Sequence, residues 1–270
     1  MNDARELFQR CMRFLSAVGR LTRLENQITF AQIVFGYAYA THFRLTWDDW
    51  SRIGGALVSI GLLLYSGIYA LNDVADAQAD ALNSLKRTRP IPSGRMRRST
   101  AAVIAISLIL AGLAASASSP QPVVLRIALL FLAINAFYTF FAKHIPYLDI
   151  LTNGSTHALR VLFGMQLAGG APDWPLVAVW YIGAVNLALF RRVKELWQGD
   201  EKARGVLQRY TAKGLQSWYT VTLPAMLILG VMFRGMTLIA SLGWIGYTLL
   251  AVIGTQRSTR IRRIAEFLWR

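Results

Sequence analysis

Cysteine is nearly absent from this chain of 270 residues. Cys11 stands alone, so no internal disulfide and no cysteine metal cluster can form. Acids are scarce too: 14 Asp and Glu stand against 29 Lys and Arg, and charge of either sign makes up only 16% of residues. With 54% hydrophobic residues, that shortage of charge excludes an ordinary soluble domain. Low-complexity segments are also missing, and the charged, amphipathic stretch 1–23 lacks a small-residue cleavage site, so no cleavable signal peptide is expected.

What fills the chain instead is a series of apolar runs of membrane-spanning length. They predict spans at about 27–43, 53–72, 101–119, 123–142, 147–169, 176–193, 217–233 and 236–254. The fold class expected is all-α, a polytopic transmembrane bundle forming one domain over 1–270. Most Lys and Arg sort to one side of these spans: the N-terminal segment 1–25, the long loops 73–99 and 194–216, and the tail 255–270. That asymmetry predicts cytoplasmic N- and C-termini in a bacterial-type inner membrane. It also explains the formal charge of +15 as a topology and lipid-surface signal, without nucleic acid as a partner. The amphipathic tail is expected to lie along the bilayer surface.

Against this background the acids of the first long loop stand out. Asp73, Asp76 and Asp80 fall at i, i+3 and i+7, one face of a helix, where like charges repel unless a cation lies between them. A hard divalent ion held by carboxylates and substrate phosphates would remove that cost, and Mg²⁺ is the expected cofactor. Asn72 precedes the triad, and Lys86, Arg87 and Arg89 follow it. Their side chains suit phosphate oxygens, although topology and anionic lipid also attract such residues. The fifth span carries Asp149, Asn153, Thr156 and Arg160 at spacings of four, three and four, with His157 beside them. Charged residues inside a span usually face a cavity and mark function; an internal Asp–Arg packing pair is the plain alternative. Arg23 and Asn26 open the first span, where both are candidates for a functional role, and Tyr138 and Lys143 close the fourth. Arg191, Lys194, Glu195 and Asp200 lie within about three helical turns at the second loop. Asp149 and Lys194 join the triad as catalytic candidates, and Asp200 is a further candidate metal ligand. Asn26, Asn72, Lys86, Arg87, Arg89, Tyr138, Lys143, Asn153, Arg160, Arg191 and Glu195 are candidates for substrate binding.

Asn72-Asp73-x-x-Asp76-x-x-x-Asp80, followed by Lys86-Arg87-x-Arg89-Pro90-x-x-x-Gly94, resembles the first aspartate-rich motif of the UbiA superfamily of intramembrane prenyltransferases. Tyr138 through Lys143, then Asp149 and Leu159-Arg160-Val161, are similar to that family's fourth and fifth helices. The resemblance covers about residues 20–235. It implies a helical bundle around a central cavity, with Mg²⁺ holding a diphosphate at the cytoplasmic mouth and an isoprenoid chain entering from the bilayer. Two departures accompany it. The family usually has nine spans where eight are counted here. The second motif, usually Asp-x-x-x-Asp, is replaced by Arg191-Arg192-Val193-Lys194-Glu195-Leu196. That stretch is similar to the branch transferring phosphoribose to polyprenyl phosphate.

The resemblance therefore implies transfer of a prenyl group from an isoprenoid diphosphate to an acceptor. Phosphoribosyl transfer to polyprenyl phosphate is the alternative; cyclisation of a prenyl diphosphate and a non-enzymatic transporter complete the set. Crowding of ionisable residues on the inner side favours a blind cavity over a transport path. An Asp76→Ala variant is expected to lose Mg²⁺-dependent binding of a diphosphate substrate while still inserting and folding. Wild-type affinity in that variant would remove the triad from the site.

Overall fold

The computed structural model describes residues 2–83, 86–197 and 205–257. The order is α1 (Asn2–Leu21), a 3₁₀ segment Leu24–Phe30, α2 (Ala31–Ala40), and the long helix α3 (Trp47–Leu82). There follow α4 (Arg98–Ala117), α5 (Pro122–Phe140), α6 (Leu148–Leu167), α7 (Trp174–Trp197), α8 (Ala212–Phe233) and α9 (Gly235–Arg257). Helices dominate, and no strand occurs among the described residues. Asp200 and residues 258–270, which hold the expected metal ligand and most of the amphipathic tail, lie outside the described residues.

Among the described residues six helices, not eight, are long and apolar enough to cross a membrane. Two of the expected spans differ for separate reasons. The first becomes the 3₁₀ segment and the ten-residue α2, about 15 Å of helix, half a hydrocarbon core. The fifth does form a continuous 20-residue helix, α6, but its polar stripe leaves it too hydrophilic to meet the same standard. In the other direction, the second span grows into the 36 residues of α3. Helix of that length runs about 54 Å, well beyond a hydrocarbon core of about 30 Å. The acid motif thus belongs to the end of a helix and not to a loop beginning at residue 73.

Local chemistry sets the ends of α3. Thr46 and Asp49 form a capping box: the Thr46 hydroxyl accepts from the Asp49 amide at 3.3 Å, and Asp49 Oδ2 accepts from the Thr46 amide at 2.8 Å. At the other end the chain turns extended at Asn83, whose Oδ1 accepts from the Lys86 amide at 2.9 Å. In between, Leu57–Tyr65 is π-helical, a geometry that is uncommon at this length and frequent at functional sites. It lies where α4 approaches most closely: a Cβ added to Gly112 would sit 2.6 Å from the Leu64 amide nitrogen.

Two compact units make up the chain: Met1–Thr139 with Phe163–Gly170, and Phe140–Leu162 with Ala171–Arg270. In the first, Ala17 and Leu21 of α1 pack with Ala70 of α3, Met96, and Ala101 and Ala105 of α4. Tyr65 is enclosed edge-to-face by Phe30 and Phe131, at 4.9 and 5.2 Å between ring centroids. In the second, α7, α8 and α9 pack against one another, and Ile150, Leu189, Val193, Leu207 and Leu215 form much of a separate core. Small residues let apolar helices approach where no water-driven effect pulls them together. A Gly112→Val variant is therefore expected to lower the thermal midpoint of the folded protein in lipid, with a cost of about 1–3 kcal/mol or more. An unchanged midpoint would mean that α4 does not lie against α3 at this point.

Candidate active site

In the first unit the acids at the end of α3 organise the charges around them. Asp73 is 2% exposed and its Oδ1 accepts from two guanidinium groups, Arg23 Nη2 at 2.5 Å and Arg89 Nη1 at 3.1 Å. The same Nη1 of Arg89 donates to Asp80 Oδ2 at 2.5 Å. Two carboxylates separated by two turns of helix thus converge on a single cationic nitrogen. Arg23 reaches them from the end of α1, and its guanidinium also lies 5.1 Å above the Tyr69 ring. Partial burial works against its charge. The Asp73 carboxylate outweighs that effect and leaves the Arg23 pKa above its ordinary value.

The neighbours of this network fall into place by local structure. Asn72 Oδ1 accepts from the Thr139 hydroxyl of α5, and Asn135 donates to the Tyr65 hydroxyl at 3.3 Å. Lys86 and Arg87 stand in a short 3₁₀ turn, Lys86 half-buried and Arg87 exposed. Asn26 lies in the 3₁₀ segment after Arg23, to whose carbonyl its amide donates at 2.8 Å. Asp76 and Tyr138 are half-buried on α3 and α5. Among the described residues no three His, Cys, Asp or Glu side chains gather into a ready metal cluster. Asp73 and Asp80 of the expected triad converge on Arg89, and Asp76 lies half-buried between them on the same helix. A pair of carboxylates around one cationic point still fits Mg²⁺, which commonly keeps one or two carboxylates and fills its other positions with water and phosphate oxygen.

The second unit has its own buried carboxylate. Asp149, in the first turn of α6, is fully buried. Its Oδ2 accepts from Arg192 Nε at 2.7 Å and its Oδ1 from the Tyr210 hydroxyl at 2.5 Å. Arg192 also holds Glu195 through Nη1 at 2.7 Å, one turn along α7. Tyr210 lies outside the spans; burial and its bond to Asp149 push the phenol well above its ordinary pKa, which keeps it a donor at neutral pH. Its oxygen accepts from the Tyr147 amide at 2.6 Å. Tyr147 itself sits at φ 64, a conformation costly for a bulky residue, and its ring stacks on Trp218. Tyr147 thereby holds the start of α6, and so Asp149, in place.

An internal Asp–Arg pair does exist on the polar stripe of α6, but Asp149 pairs with Arg192 and not with Arg160. Arg160 is buried beside His157, with Nη1 to Nδ1 at 3.5 Å, and Arg191 is within electrostatic reach of the same imidazole. The Asn153 carbonyl accepts from Thr156 at 2.9 Å. Lys143 is half-buried in the 3₁₀ turn Ala142–His144, and Lys194 is half-buried on α7. Beside the expected Arg191, Arg192 carries the bonds to Asp149 and Glu195. The i, i+3 relation of Arg192 to Glu195 was a usable signal, whereas nothing in the sequence pointed to Tyr210. Arg23 was a candidate beside Asn26 at the opening of the first span, but nothing in the sequence tied it to Asp73.

The family model for the UbiA prenyltransferase family matches residues 29–266. Among relatives, the chain is 30% identical over 185 residues to decaprenyl-phosphate phosphoribosyltransferase of Mycolicibacterium smegmatis, 64% of this chain and 56% of that protein. It is 28% identical over 261 residues to digeranylgeranylglyceryl phosphate synthase of Saccharolobus solfataricus, 88% of this chain and 86% of that one. The chain spans about half the length of the phosphoribosyltransferases it matches. Its fold is similar to that of a UbiA homologue from Archaeoglobus fulgidus bound to GPP and Mg²⁺, with a TM-score of 0.69 at 18% identity over 90% of this chain and 88% of that one. The apo UbiA homologue from Aeropyrum pernix is similar to the same degree, 0.69 at 19% identity over 91% and 94%. With its model covering most of the length, the chain is a member of the UbiA prenyltransferase family.

Proposed function

We propose that the protein is an integral membrane, Mg²⁺-dependent transferase that ionises an isoprenoid diphosphate and passes the prenyl group to an acceptor. The observation that carries this reading is the convergence of Asp73 and Asp80 on one cationic nitrogen, with Arg23 and Arg89 beside them. Asp73 and Asp80, joined by Asp76, would hold Mg²⁺; when bound, the ion neutralises the departing diphosphate as a Lewis acid. Arg89 and Lys86 carry positive charge to the phosphate oxygens, Arg89 through its planar fork. Asn72, held by Thr139, presents its amide nitrogen as a donor at the same helix end. These groups act where negative charge grows as the carbon–oxygen bond breaks, which is where fixed electrostatics lowers a barrier most. The strong Lys and Arg asymmetry supports an orientation with both termini and the acid motif on the cytoplasmic side of an inner membrane.

One observation favours the phosphoribosyl reading. In the second unit the stretch expected to carry an acidic motif is cationic, and Arg192 is locked between Asp149 and Glu195. The other cationic residues of that stretch, Arg191 and Lys194, suit a donor or acceptor with more phosphate groups, as in phosphoribosyl diphosphate with polyprenyl phosphate. The relatives named phosphoribosyltransferase support this second reading.

Purified protein in lipid with Mg²⁺ is expected to release diphosphate from labelled farnesyl or geranylgeranyl diphosphate. Release only from phosphoribosyl diphosphate with polyprenyl phosphate would move the protein to the second branch, and release from no donor would contradict both. Arg192→Ala is expected to destabilise the fold by about 3–5 kcal/mol, since it strands a fully buried carboxylate. Tyr210→Phe, which removes one hydrogen bond to the same carboxylate, should cost about 1.5–3 kcal/mol. Equal thermal midpoints for wild type and Arg192→Ala would show that Asp149 does not depend on that guanidinium.

A further inference from the structure

Arg23 comes to the site from outside both the acid motif and its basic continuation. It stands at φ 49, between the end of α1 and the 3₁₀ segment, a backbone conformation that persists only where the surroundings over-determine it. Those surroundings are visible. Ala17 and Leu21 seat the end of α1 against Ala70, Ala101 and Ala105. Tyr69 and Asp73, four residues apart on one face of α3, hold the guanidinium by its π face and by a hydrogen bond. The molecule bends its backbone to bring this cation to a carboxylate fifty residues away.

The placement has a competitive consequence. Asp73 Oδ1 already accepts from two guanidinium groups, so a divalent ion and Arg23 contend for one oxygen. A diphosphate reverses the balance, because its oxygens offer guanidinium groups a bidentate partner as good as the carboxylate. We propose that Arg23 is an exchangeable counter-ion: it occupies Asp73 against a bare divalent cation and transfers to the diphosphate as the metal–diphosphate complex arrives, so that metal and diphosphate load together. This rests on reading Asp73 and Asp80 as the anchor for Mg²⁺ and diphosphate.

Exchange makes a prediction of opposite signs. Without Arg23, Asp73 is more open to a bare ion, while the diphosphate loses a partner; a purely structural role would weaken both. The test compares wild type, Arg23→Ala and Arg23→Lys in lipid nanodiscs. Mn²⁺ alone is titrated by electron paramagnetic resonance, and inorganic pyrophosphate with saturating Mg²⁺ by calorimetry. Arg23→Ala is expected to bind Mn²⁺ alone roughly tenfold more tightly and pyrophosphate roughly tenfold more weakly, the scale of one charge-assisted hydrogen bond. Arg23→Lys, with its charge but no fork, should fall between. If Arg23→Ala does not insert, Arg23→Gln decides by the same two titrations. Both affinities moving in one direction, or neither moving, overturns the exchange. Failure of the wild type to bind pyrophosphate with Mg²⁺ would instead contradict the anchor itself.

Discussion

A carboxylate that is 2% exposed has to be neutralised, and Asp73 sets that demand for the first unit. Removing a charge from water costs several kcal/mol unless partners and hydrogen bonds replace the lost hydration. Two arginines supply them, and the path of the chain follows from delivering both. One arrives at the end of α1, which is seated by Ala17 and Leu21. The other arrives on the turn after α3, where Asn83 accepts from the Lys86 amide, Ser93 donates to the Arg89 carbonyl at 2.6 Å, and the Met96 amide donates to Pro90 at 3.0 Å. Arg89 then joins Asp73 to Asp80. The same carboxylates that make the site reactive toward a cation therefore also shape the helix ends around it.

The second unit solves a similar problem with different parts. Asp149 is fully buried, and a guanidinium and a phenol satisfy its two oxygens. Because Arg192 divides its donors between Asp149 and Glu195, its charge is fixed in direction by two acids at once. A metal-loaded carboxylate site can be emptied and refilled, whereas a guanidinium held in this way is permanent. On the proposed function, that contrast in exchangeability separates the two units.

Legibility in the sequence followed the range of the interaction. The i, i+3, i+7 spacing of Asp73, Asp76 and Asp80 is a helix-face relation between near neighbours, so the importance of that face could be read directly. Composition and apolar runs likewise disclosed a helical membrane protein. What could not be read was partner choice over long separations. Arg23 and Asp73 are 50 residues apart, Asp149 and Arg192 are 43, and Tyr210 and Asp149 are 61. Helical phase places each of these on a face but does not say which face it meets, so nothing in the sequence assigned Arg192 to Asp149. Span boundaries failed for a related reason. Hydropathy marks where apolar residues stop, while α3 continues through Asp73–Leu82, since helical backbone hydrogen bonds do not depend on apolar side chains.

The central claim is that Asp73 and Asp80 bind a diphosphate through a divalent ion. Calorimetric titration of the wild-type protein in nanodiscs with inorganic pyrophosphate, with Mg²⁺ and then after chelation by EDTA, tests it most directly. Saturable binding with Mg²⁺ that disappears on chelation, and that is absent from an Asp73→Asn, Asp80→Asn variant, is the predicted result. Binding of equal strength without the metal, or in that variant, would contradict the claim.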